Sequence, residues 1–318
     1  MNPFARITKP LWPAAAVGLS GEGVALVALD RRGDALAVRR AGYAPLPEGL
    51  LRPGFDEANV ADAAELADAL RTLAASAGLQ KRQRWSVALP EAATHTAILT
   101  LEGASASRGE TEEMLRWKTE RTFGATADEL RVARRKLAPD AQGRTRYLAS
   151  AVRVSVLAEY ESVFAALGWH TGLMLARHFG EEWWLARAPG GSDSLLVSSH
   201  NEGFTASLLR ARQPLLVRSV TCEPQDRADE LYRFLLFYRD RLNGPASEEG
   251  EGVAVNLGQM LVAGEGLTEQ EAAAIIEETL QVRPRPLRAG DVRLSLPSAE
   301  LDFAQLAAPA GIAALAFG

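Results

Sequence analysis

The sequence predicts a duplicated α/β fold, and three observations lead to this prediction. A chain of 318 residues is long enough for two domains of ordinary size. Hydrophobic residues make up 47% and charged residues 24%, which are the proportions of a globular protein. The order strand, strand, strand, helix, strand occurs twice along the chain, which is the pattern that a duplicated domain leaves. Two similar halves also predict a cleft between them.

In the first copy, apolar runs alternate with turn sequences. A Ser-Gly-Glu-Gly turn at 20–23 separates the first two runs, which indicates a tight hairpin. Apolar residues then recur at helical spacing, and Gly78 is typical of a helix end. The predicted elements are, in order, strands at 14–19, 24–29 and 35–39, a helix at 60–74 and a strand at 85–89.

The second half repeats this order. A turn at 199–203 again separates the first two strands, and it again contains a Glu-Gly pair. The helix that follows has a spacing that places Leu231, Phe234, Leu235 and Tyr238 on one face. The predicted elements are strands at 194–198, 204–210 and 214–220, a helix at about 226–242 and a strand at 253–257.

A stretch at about 91–169 has no counterpart in the second copy. It contains an apparent helix at 110–123 whose apolar residues suggest packing against a small sheet. We interpret the stretch as an α+β subdomain inserted in the first half. The predicted divisions are a basic lead segment at 1–13, a first lobe at 14–187, and a second lobe at 188–318. Pro309 suits the first turn of a C-terminal helix at about 309–316.

Charge and cysteine content exclude several classes of protein. A net charge of -5 and a pI of about 5.6 leave no basic surface for nucleic acid. Cys222 is the single cysteine, so an intramolecular disulfide is impossible and a reducing cytosol is the compartment that fits. The start of the chain lacks the apolar core of a secretory signal, and no run of 18 apolar residues occurs.

The sequence contains no pattern typical of a metal site or a catalytic nucleophile. The four histidines are scattered, and none has the spacing that puts two ligands on one helical face. We therefore predict neither a metal site nor a catalytic residue. Paired acids such as Glu181 and Glu182 are expected on the surface, because neighbours on a helix point apart. Trp183 and Trp184 are expected to anchor a helix in the core.

Several segments in a fixed order resemble one family. They are the basic lead segment, Pro-Leu-Pro-Glu-Gly at 45–49, Val-Ala-Leu-Pro at 87–90, Met-Leu-Arg-Trp-Lys-Thr-Glu at 114–120 and the strand at 213–220. Over nearly its whole length the chain resembles the actin-like (ribonuclease H-like) superfamily, and within it the type IV pilus assembly protein PilM family, which is related to FtsA. The resemblance implies two lobes, an inserted subdomain, and a C-terminal helix that packs back on the first lobe.

In that family two hairpins hold the nucleotide phosphates, each with an aspartate that binds Mg²⁺ through water. Here Ser20 and Ser198 stand near the aspartate positions, and His200 stands where glycine is expected. The glycine-rich adenosine loop is reduced to Leu-Gly-Gln at 257–259. The resemblance thus implies a degenerate nucleotide site, whose remnants are Gly18, Ser20, Gly21, Glu22, Gly23, Ser198, His200, Asn201, Glu202, Gly203 and Gly258.

Loss of both aspartates removes the charge that would hold a hard cation. About 2.8 kcal/mol already corresponds to hundred-fold weaker binding. Both turns also carry a glutamate, Glu22 and Glu202, and neither loop contains a basic residue. Because like charge opposes a polyphosphate, we expect a cleft that no longer uses ATP, and no cofactor.

The resemblance implies a cytoplasmic scaffold at the inner face of a bacterial membrane, in a type IV pilus or a related assembly platform. Its implied partner is the cytoplasmic tail of a PilN-like membrane protein. Arg6 and Lys9 would each add only about 1 kcal/mol of membrane affinity, so recruitment is expected through protein contacts. Assembly of several copies is a further option.

Two alternatives stay open. One is an active actin-like ATPase, or a sugar-kinase-like phosphotransferase, which uses ATP with magnesium held by carboxylates from elsewhere. The other is the cytoplasmic L-type component of a type II secretion system. That component normally continues into a membrane span, and the end at Gly318 speaks against it.

Overall fold

The computed structural model describes residues 12–102, 107–140, 142–242, 255–298 and 301–318. The strands are β1 (Ala15–Leu19), β2 (Gly23–Arg32), β3 (Ala35–Pro45), β4 (Arg84–Leu89), β5 (His95–Leu101), β6 (Leu130–Leu137), β7 (Thr145–Arg153), β8 (His170–Ala176), β9 (Asp193–His200), β10 (Gly203–Arg210), β11 (Gln213–Thr221), β12 (Leu257–Gly264), β13 (Arg285–Pro286) and β14 (Leu294–Ser295). The α-helices are α1 (Ala63–Ser76), α2 (Arg108–Phe123), α3 (Val154–Ala166), α4 (Arg177–Arg187), α5 (Arg227–Leu242), α6 (Glu269–Leu280) and α7 (Phe303–Ala314).

Two large sheets repeat one topology. The strand order is β14-β3-β2-β1-β4-β8 in the first sheet and β11-β10-β9-β12-β13 in the second. Each sheet contains an antiparallel meander of three strands, β1 to β3 or β9 to β11. In each, the next strand pairs in parallel with the first strand of the meander. The duplication predicted from the sequence is therefore confirmed.

The central strands are covered on both faces, which explains their continuous apolar runs. Every residue of β1 is buried, and seven of the eight residues of β9 are buried. Helices α1 and α3 contribute the core on one face of the first sheet. Helices α5 and α6 do the same for the second sheet. A further core lies between the two sheets.

The strand predicted at 253–257 lies further along the chain. Val255 and Asn256 are outside any strand, and β12 begins at Leu257; residues 253 and 254 lie outside the described residues. The apolar run at 260–263 forms the centre of β12, between β9 and β13. Gly258 and Gln259 interrupt the apolar pattern at the start of β12, which is why the strand was predicted too early in the chain.

The insertion is a three-stranded sheet, β5-β7-β6, with α2 against it. Ser107 and Glu110 form a capping box at the start of α2, and Gly124 ends the helix with a φ of 69°. The insertion ends at Arg153 and not near 169. The reason is that Tyr160 and Phe164 on α3 are fully buried in the core of the first sheet.

The insertion also contacts the second sheet. The Arg146 guanidinium on β7 donates a hydrogen bond of 2.9 Å to the carbonyl of Leu215 on β11. Beside it, Leu137 and Leu148 of the insertion pack with Val217 of β11. The insertion therefore bridges the first and second lobes.

Helices α4 and α7 fill the space between the two large sheets. The α7 helix contacts β1, β2 and β4 of the first sheet and also β12 of the second. It begins at Phe303 because the Asp302 side chain accepts a hydrogen bond of 3.1 Å from the amide of Ala304. The predicted start at Pro309 is therefore wrong, since Pro309 lies inside the helix.

The two helices cross at glycines. A Cβ atom on Gly180 of α4 would lie 2.0 Å from the carbonyl oxygen of Ala308, and one on Gly311 of α7 would lie 1.9 Å from that of Gly180. Only glycine permits this approach. Trp184 is fully buried, as expected, and its indole nitrogen donates to the carbonyl of Ala307 at 2.8 Å. The junction between the sheets is thus tightly packed.

Candidate functional site

The turns of the β1–β2 and β9–β10 hairpins face each other across a cleft of about 1120 Å³. The amide nitrogen of the Asn201 side chain lies 3.4 Å from the position that a Cβ on Gly21 would occupy. The two hairpins therefore almost touch. A smaller pocket of about 190 Å³, here called the hairpin pocket, adjoins the first hairpin. The polar and charged groups that line it include Glu22, Tyr43, Arg177, Glu265 and Asp302.

In the first hairpin, the Ser20 hydroxyl forms hydrogen bonds within its own turn. Its hydroxyl accepts from the amide of Gly23 at 3.1 Å and donates to the carbonyl of Gly23 at 3.0 Å. Gly18 has a packing reason to be glycine, because a Cβ there would lie 3.0 Å from the ring of Pro309. Tyr43 likewise occupies the space beside Gly23. These predicted remnants lie at the cleft, and their local contacts are structural.

Glu22 faces a second carboxyl group across the hairpin pocket. Burial raises the pKa of Glu22 to about 8, and a hydrogen bond to Glu265 and the charge of Glu265 act in the same direction. Arg177 and Arg227 oppose this rise. Burial and the same two carboxyl groups raise the pKa of Tyr43. A carboxyl group with this pKa carries a proton at neutral pH.

The second hairpin is built differently. Ser198 is fully buried, and within the described residues its hydroxyl has no hydrogen-bond partner. Burial lowers the pKa of His200 to about 4, so this imidazole is neutral at pH 7. Asn201 and Glu202 form the turn and line the cleft. Gly203 starts β10 with a φ of 145°, and a Cβ there would lie 1.9 Å from the carbonyl oxygen of Val220.

Arg227, at the start of α5, fills the second hairpin. Its guanidinium donates hydrogen bonds of 2.6 Å to the carbonyls of both His200 and Asn201. It also lies against Gly266, where a Cβ would overlap it. Neither hairpin loop contains a basic residue, as the sequence indicates, but two arginines from other elements lie beside the loops. Arg177 and Arg227 reach them from helices that are distant in sequence.

The loop at the cleft that follows β12 is Gly264-Glu265-Gly266, with φ angles of 84° and 88° at its glycines. The prediction placed the remnant of the adenosine loop at Gly258. That residue lies within β12 beside Ser192 and lines neither the cleft nor the hairpin pocket. The sequence did carry a signal for a turn at 264–266, because two glycines flank an acid directly after the apolar run at 260–263.

A buried ion pair lies behind the cleft. Glu91 Oε1 is 2.8 Å from His178 Nδ1, and Glu91 Oε2 accepts from the amide of His178 at 3.2 Å. Burial alone would raise the pKa of Glu91, but the charge of His178 and hydrogen bonds from His178 and Thr205 bring it to about 2. Burial would lower the pKa of His178, whereas Glu91 raises it to about 9. Both groups are therefore charged at pH 7.

Two acids expected on the surface are buried beside this pair. Glu181 is fully buried and bonds Arg177 at 2.9 Å, and Glu182 is 6% exposed. The reason is that α4 lies between the two sheets, so that both of its faces are covered. Burial raises the pKa of Glu182. Sequence reasoning missed this polar junction because it expected only one face of this helix to be covered, with the paired acids left on the surface.

A second concavity, here called the insertion groove, separates the insertion from the first lobe. It has a volume of about 340 Å³ and is lined by β6, β7, β8 and α3. Its apolar side chains include Val152, Leu157, Leu173 and Leu175. Strand β8 is the last strand of the first sheet, so one side of its backbone is not paired within that sheet.

Among the described residues, no group of three or more His, Cys, Asp or Glu side chains could hold a metal ion. The cleft presents carboxyl groups from both hairpins where phosphates would have to lie. In the same part of the chain, no helix combines the length and hydropathy needed to span a bilayer.

Comparison with solved structures identifies the fold class of the chain. No protein-family model matches the chain, and no curated protein does either. The duplicated sheets, the helices between them and the α+β insertion define an actin-like α/β fold of two lobes. A chain of the PilM–PilN type IV pilus biogenesis complex is similar over 97% of this chain and 100% of its own length, with 20% identity and a TM-score of 0.72.

Two other solved structures are less similar. A Bacteroides thetaiotaomicron protein with an actin-like ATPase fold and unknown function has 12% identity over 98% of both chains and a TM-score of 0.49. The cytoplasmic domain of EpsL, an inner membrane component of the Vibrio cholerae type II secretion system, has 12% identity over 85% of this chain and 96% of its own, with a TM-score of 0.42. The resemblance to PilM inferred from the sequence is thus confirmed at the level of fold.

Proposed function

We propose that this protein is a cytoplasmic scaffold of a type IV pilus or a related inner-membrane assembly platform. It binds the cytoplasmic tail of a PilN-like membrane protein, is held at the membrane by that contact, and does not hydrolyse ATP. The observation that carries the proposal is that the chain's own side chains occupy both hairpins that would hold nucleotide phosphates. The likeness in fold to a chain of the PilM–PilN complex supports the choice of partner.

The first hairpin opposes a polyphosphate electrostatically. Glu22 and Glu265 line the hairpin pocket together, and burial, a hydrogen bond to Glu265 and the negative charge of Glu265 raise the pKa of Glu22. A phosphate group there would add negative charge in a partly buried pocket, where screening by water is weak. Ser20 offers no free hydroxyl to a ligand, because both of its hydrogen bonds are made to Gly23.

The second hairpin is filled from behind. Arg227 is 4% exposed, and its guanidinium saturates the carbonyls of His200 and Asn201. Gly266 closes over the same guanidinium. A nucleotide that displaced Arg227 from this loop would leave two partly buried carbonyls without their charged donor, which is unfavourable. Both copies of the hairpin therefore disfavour ATP, each for its own reason.

The insertion groove suits an extended peptide. The free backbone edge of β8 can pair with a strand of a partner, and the apolar side chains beside it can receive alternate side chains of that strand. Arg131 and Glu161 add one charge of each sign to the lining. A tail of about seven residues would match the length of β8.

The test is a pair of titrations on the full chain. A synthetic peptide with the cytoplasmic tail sequence of a PilN-like protein from the same genome should bind saturably, while ATP with Mg²⁺ should not bind at micromolar concentrations. Ala133→Glu introduces a charge at an exposed position of the groove lining and should weaken peptide binding at least about tenfold. Ala64→Glu, on the exposed face of α1, is the matched control.

Two outcomes would contradict the proposal. The first is saturable ATP binding with hydrolysis, which would restore the ATPase alternative. The second is a peptide affinity that Ala133→Glu leaves unchanged, since binding would then occur elsewhere on the molecule.

A further inference from the structure

A continuous series of contacts, through both side chains and backbone, joins the two hairpins across the cleft. Glu22 of the first hairpin meets Glu265 of the loop after β12. Gly266, the next residue of that loop, lies against the Arg227 guanidinium. Arg227 in turn donates to the carbonyls of His200 and Asn201 in the second hairpin. Only the contact between Glu22 and Glu265 joins groups of like charge.

We propose that Glu22 and Glu265 form a proton-dependent clasp between the lobes, which is closed while the two carboxyl groups share a proton and released when both are ionised. The inference goes beyond the proposed function, because it concerns how the first hairpin is held to the loop after β12 across the cleft. Neither ATP nor a partner peptide enters its test, so it can fail while the scaffold proposal stands.

The geometry requires a proton for the contact. Two carboxylates have only acceptor atoms, so a hydrogen bond between them exists only when one carries a hydrogen. The hairpin pocket is lined by Glu22 of the first lobe and by Glu265 of the second, so the contact spans the boundary between the lobes. When both are charged, the same contact becomes a repulsion inside a partly closed pocket.

Groups on every surrounding element set the pH at which this happens. Burial and Glu265 raise the pKa of Glu22 to about 8, and Arg177 and Arg227 lower it. Tyr43 and His200 stay neutral throughout the range of interest, because burial raises the pKa of the phenol and lowers that of the imidazole. The remaining charged groups that line the pocket or the adjoining cleft are Asp302, Glu48, Arg52, Asp56, Glu57, Glu91, Glu202 and Arg218.

The direction of the effect follows from the raised pKa. In the unfolded chain Glu22 ionises near its ordinary value of 4.5, whereas in the folded chain it keeps its proton to about 8. The folded state therefore loses stability as the pH rises between these values. Above pH 8 the clasp opens, and its closed population falls about tenfold per unit of pH.

Hydrogen exchange on the full-length protein tests the clasp directly. After correction for intrinsic exchange chemistry, amides at 20–23 and 264–266 should exchange about tenfold faster at pH 9 than at pH 7 in the wild type. Glu22→Gln and Glu265→Gln each supply a permanent amide donor, so either variant should reduce this increase to less than about twofold. Having two independent variants keeps the test decisive if one folds poorly.

The duplication supplies the control. Glu202 occupies the corresponding turn position of the second hairpin and faces no carboxyl partner in the hairpin pocket. Glu202→Gln should therefore keep the tenfold increase. The clasp is refuted if the wild type shows no increase, if both Gln variants retain it, or if Glu202→Gln removes it as well.

Discussion

The two hairpins share the same strand pairing and the same Glu-Gly turn, but their glutamate side chains lie in different surroundings. In the first, Glu22 points into a pocket and meets a carboxyl group of the other lobe. In the second, Glu202 lies exposed, and the turn is held from behind by Arg227. Duplication has kept the strand order and the Glu-Gly turn while the chemistry of each copy diverged. Two copies of one fold in the same chain therefore need not have the same function.

The strongest test of this comparison is at the glycine that ends each turn. Gly203→Ala should cost about 4 to 5 kcal/mol, because its φ of 145° is unfavourable for alanine and the new Cβ meets a backbone oxygen. Gly23→Ala should cost less, about 2 kcal/mol, because the Tyr43 ring can move away and the new Cβ would lie 2.8 Å from the carbonyl oxygen of Ala44, a smaller overlap than the 1.9 Å at Gly203. Urea unfolding of both variants measures the difference. Equal losses would contradict the asymmetry.

Glu91→Gln should cost about 3 kcal/mol, because His178 loses its charged partner in a fully buried position and burial then favours the neutral imidazole. The wild type gains stability from this pair below pH 6.5 and loses it as the pH rises to about 9, since His178 keeps its proton only when folded. The variant should lack that loss. Thr205 on β10 also bonds Glu91, so the second hairpin should loosen more than the first in hydrogen exchange.

The control for Glu91→Gln is the same change in an exposed pair. Glu112 contacts Arg134 at 2.9 Å on the surface of the insertion. Glu112→Gln should cost less than about 1 kcal/mol. A similar loss of unfolding free energy in both variants would show that the buried pair stabilises the protein no more than an exposed pair does.

Arg227→Met should cost about 2 kcal/mol, because the partly buried carbonyls of His200 and Asn201 lose their charged donor. Hydrogen exchange should accelerate in the second hairpin and not in β1 and β2. Arg233→Met, on the exposed face of the same helix, should cost less than about 1 kcal/mol. Exchange that accelerates equally in both hairpins would show that Arg227 supports the whole junction.

The smallest effect is expected at Glu202. Glu202→Gln should change the free energy of unfolding by less than about 0.5 kcal/mol at pH 7, because the side chain is exposed in the turn. Chemical denaturation of this variant beside Glu22→Gln completes the comparison. A loss above 1 kcal/mol would mean that both turn glutamates are structural.

Local patterns carried most of the fold. The strand order, α2 and the start of α5 could be predicted because apolar periodicity and turn residues act within a few positions. The hairpin turns at 20–23 and 200–203 were found for the same reason. The end of the insertion was misplaced because nothing within α3 tells which core receives Tyr160.

The missing parts of the site depend on tertiary packing. Arg177, Arg227 and Glu265 are each distant in sequence from the hairpins, and helix and strand signals do not say which turn they will reach. Glu91 and His178 looked like an isolated acid and an isolated base. Their pairing follows only from the position of α4 between the two sheets.

The place of α7 also bears on how the protein is made. Leu306, Ile312 and their neighbours form much of the apolar layer between the sheets, yet they are the last of the described helices to be synthesised. While residues before 303 emerge from the ribosome, the inner faces of both sheets lack their cover. Final closure of the molecule must therefore wait for translation to reach this helix, and until then the nascent chain exposes surfaces that chaperones recognise.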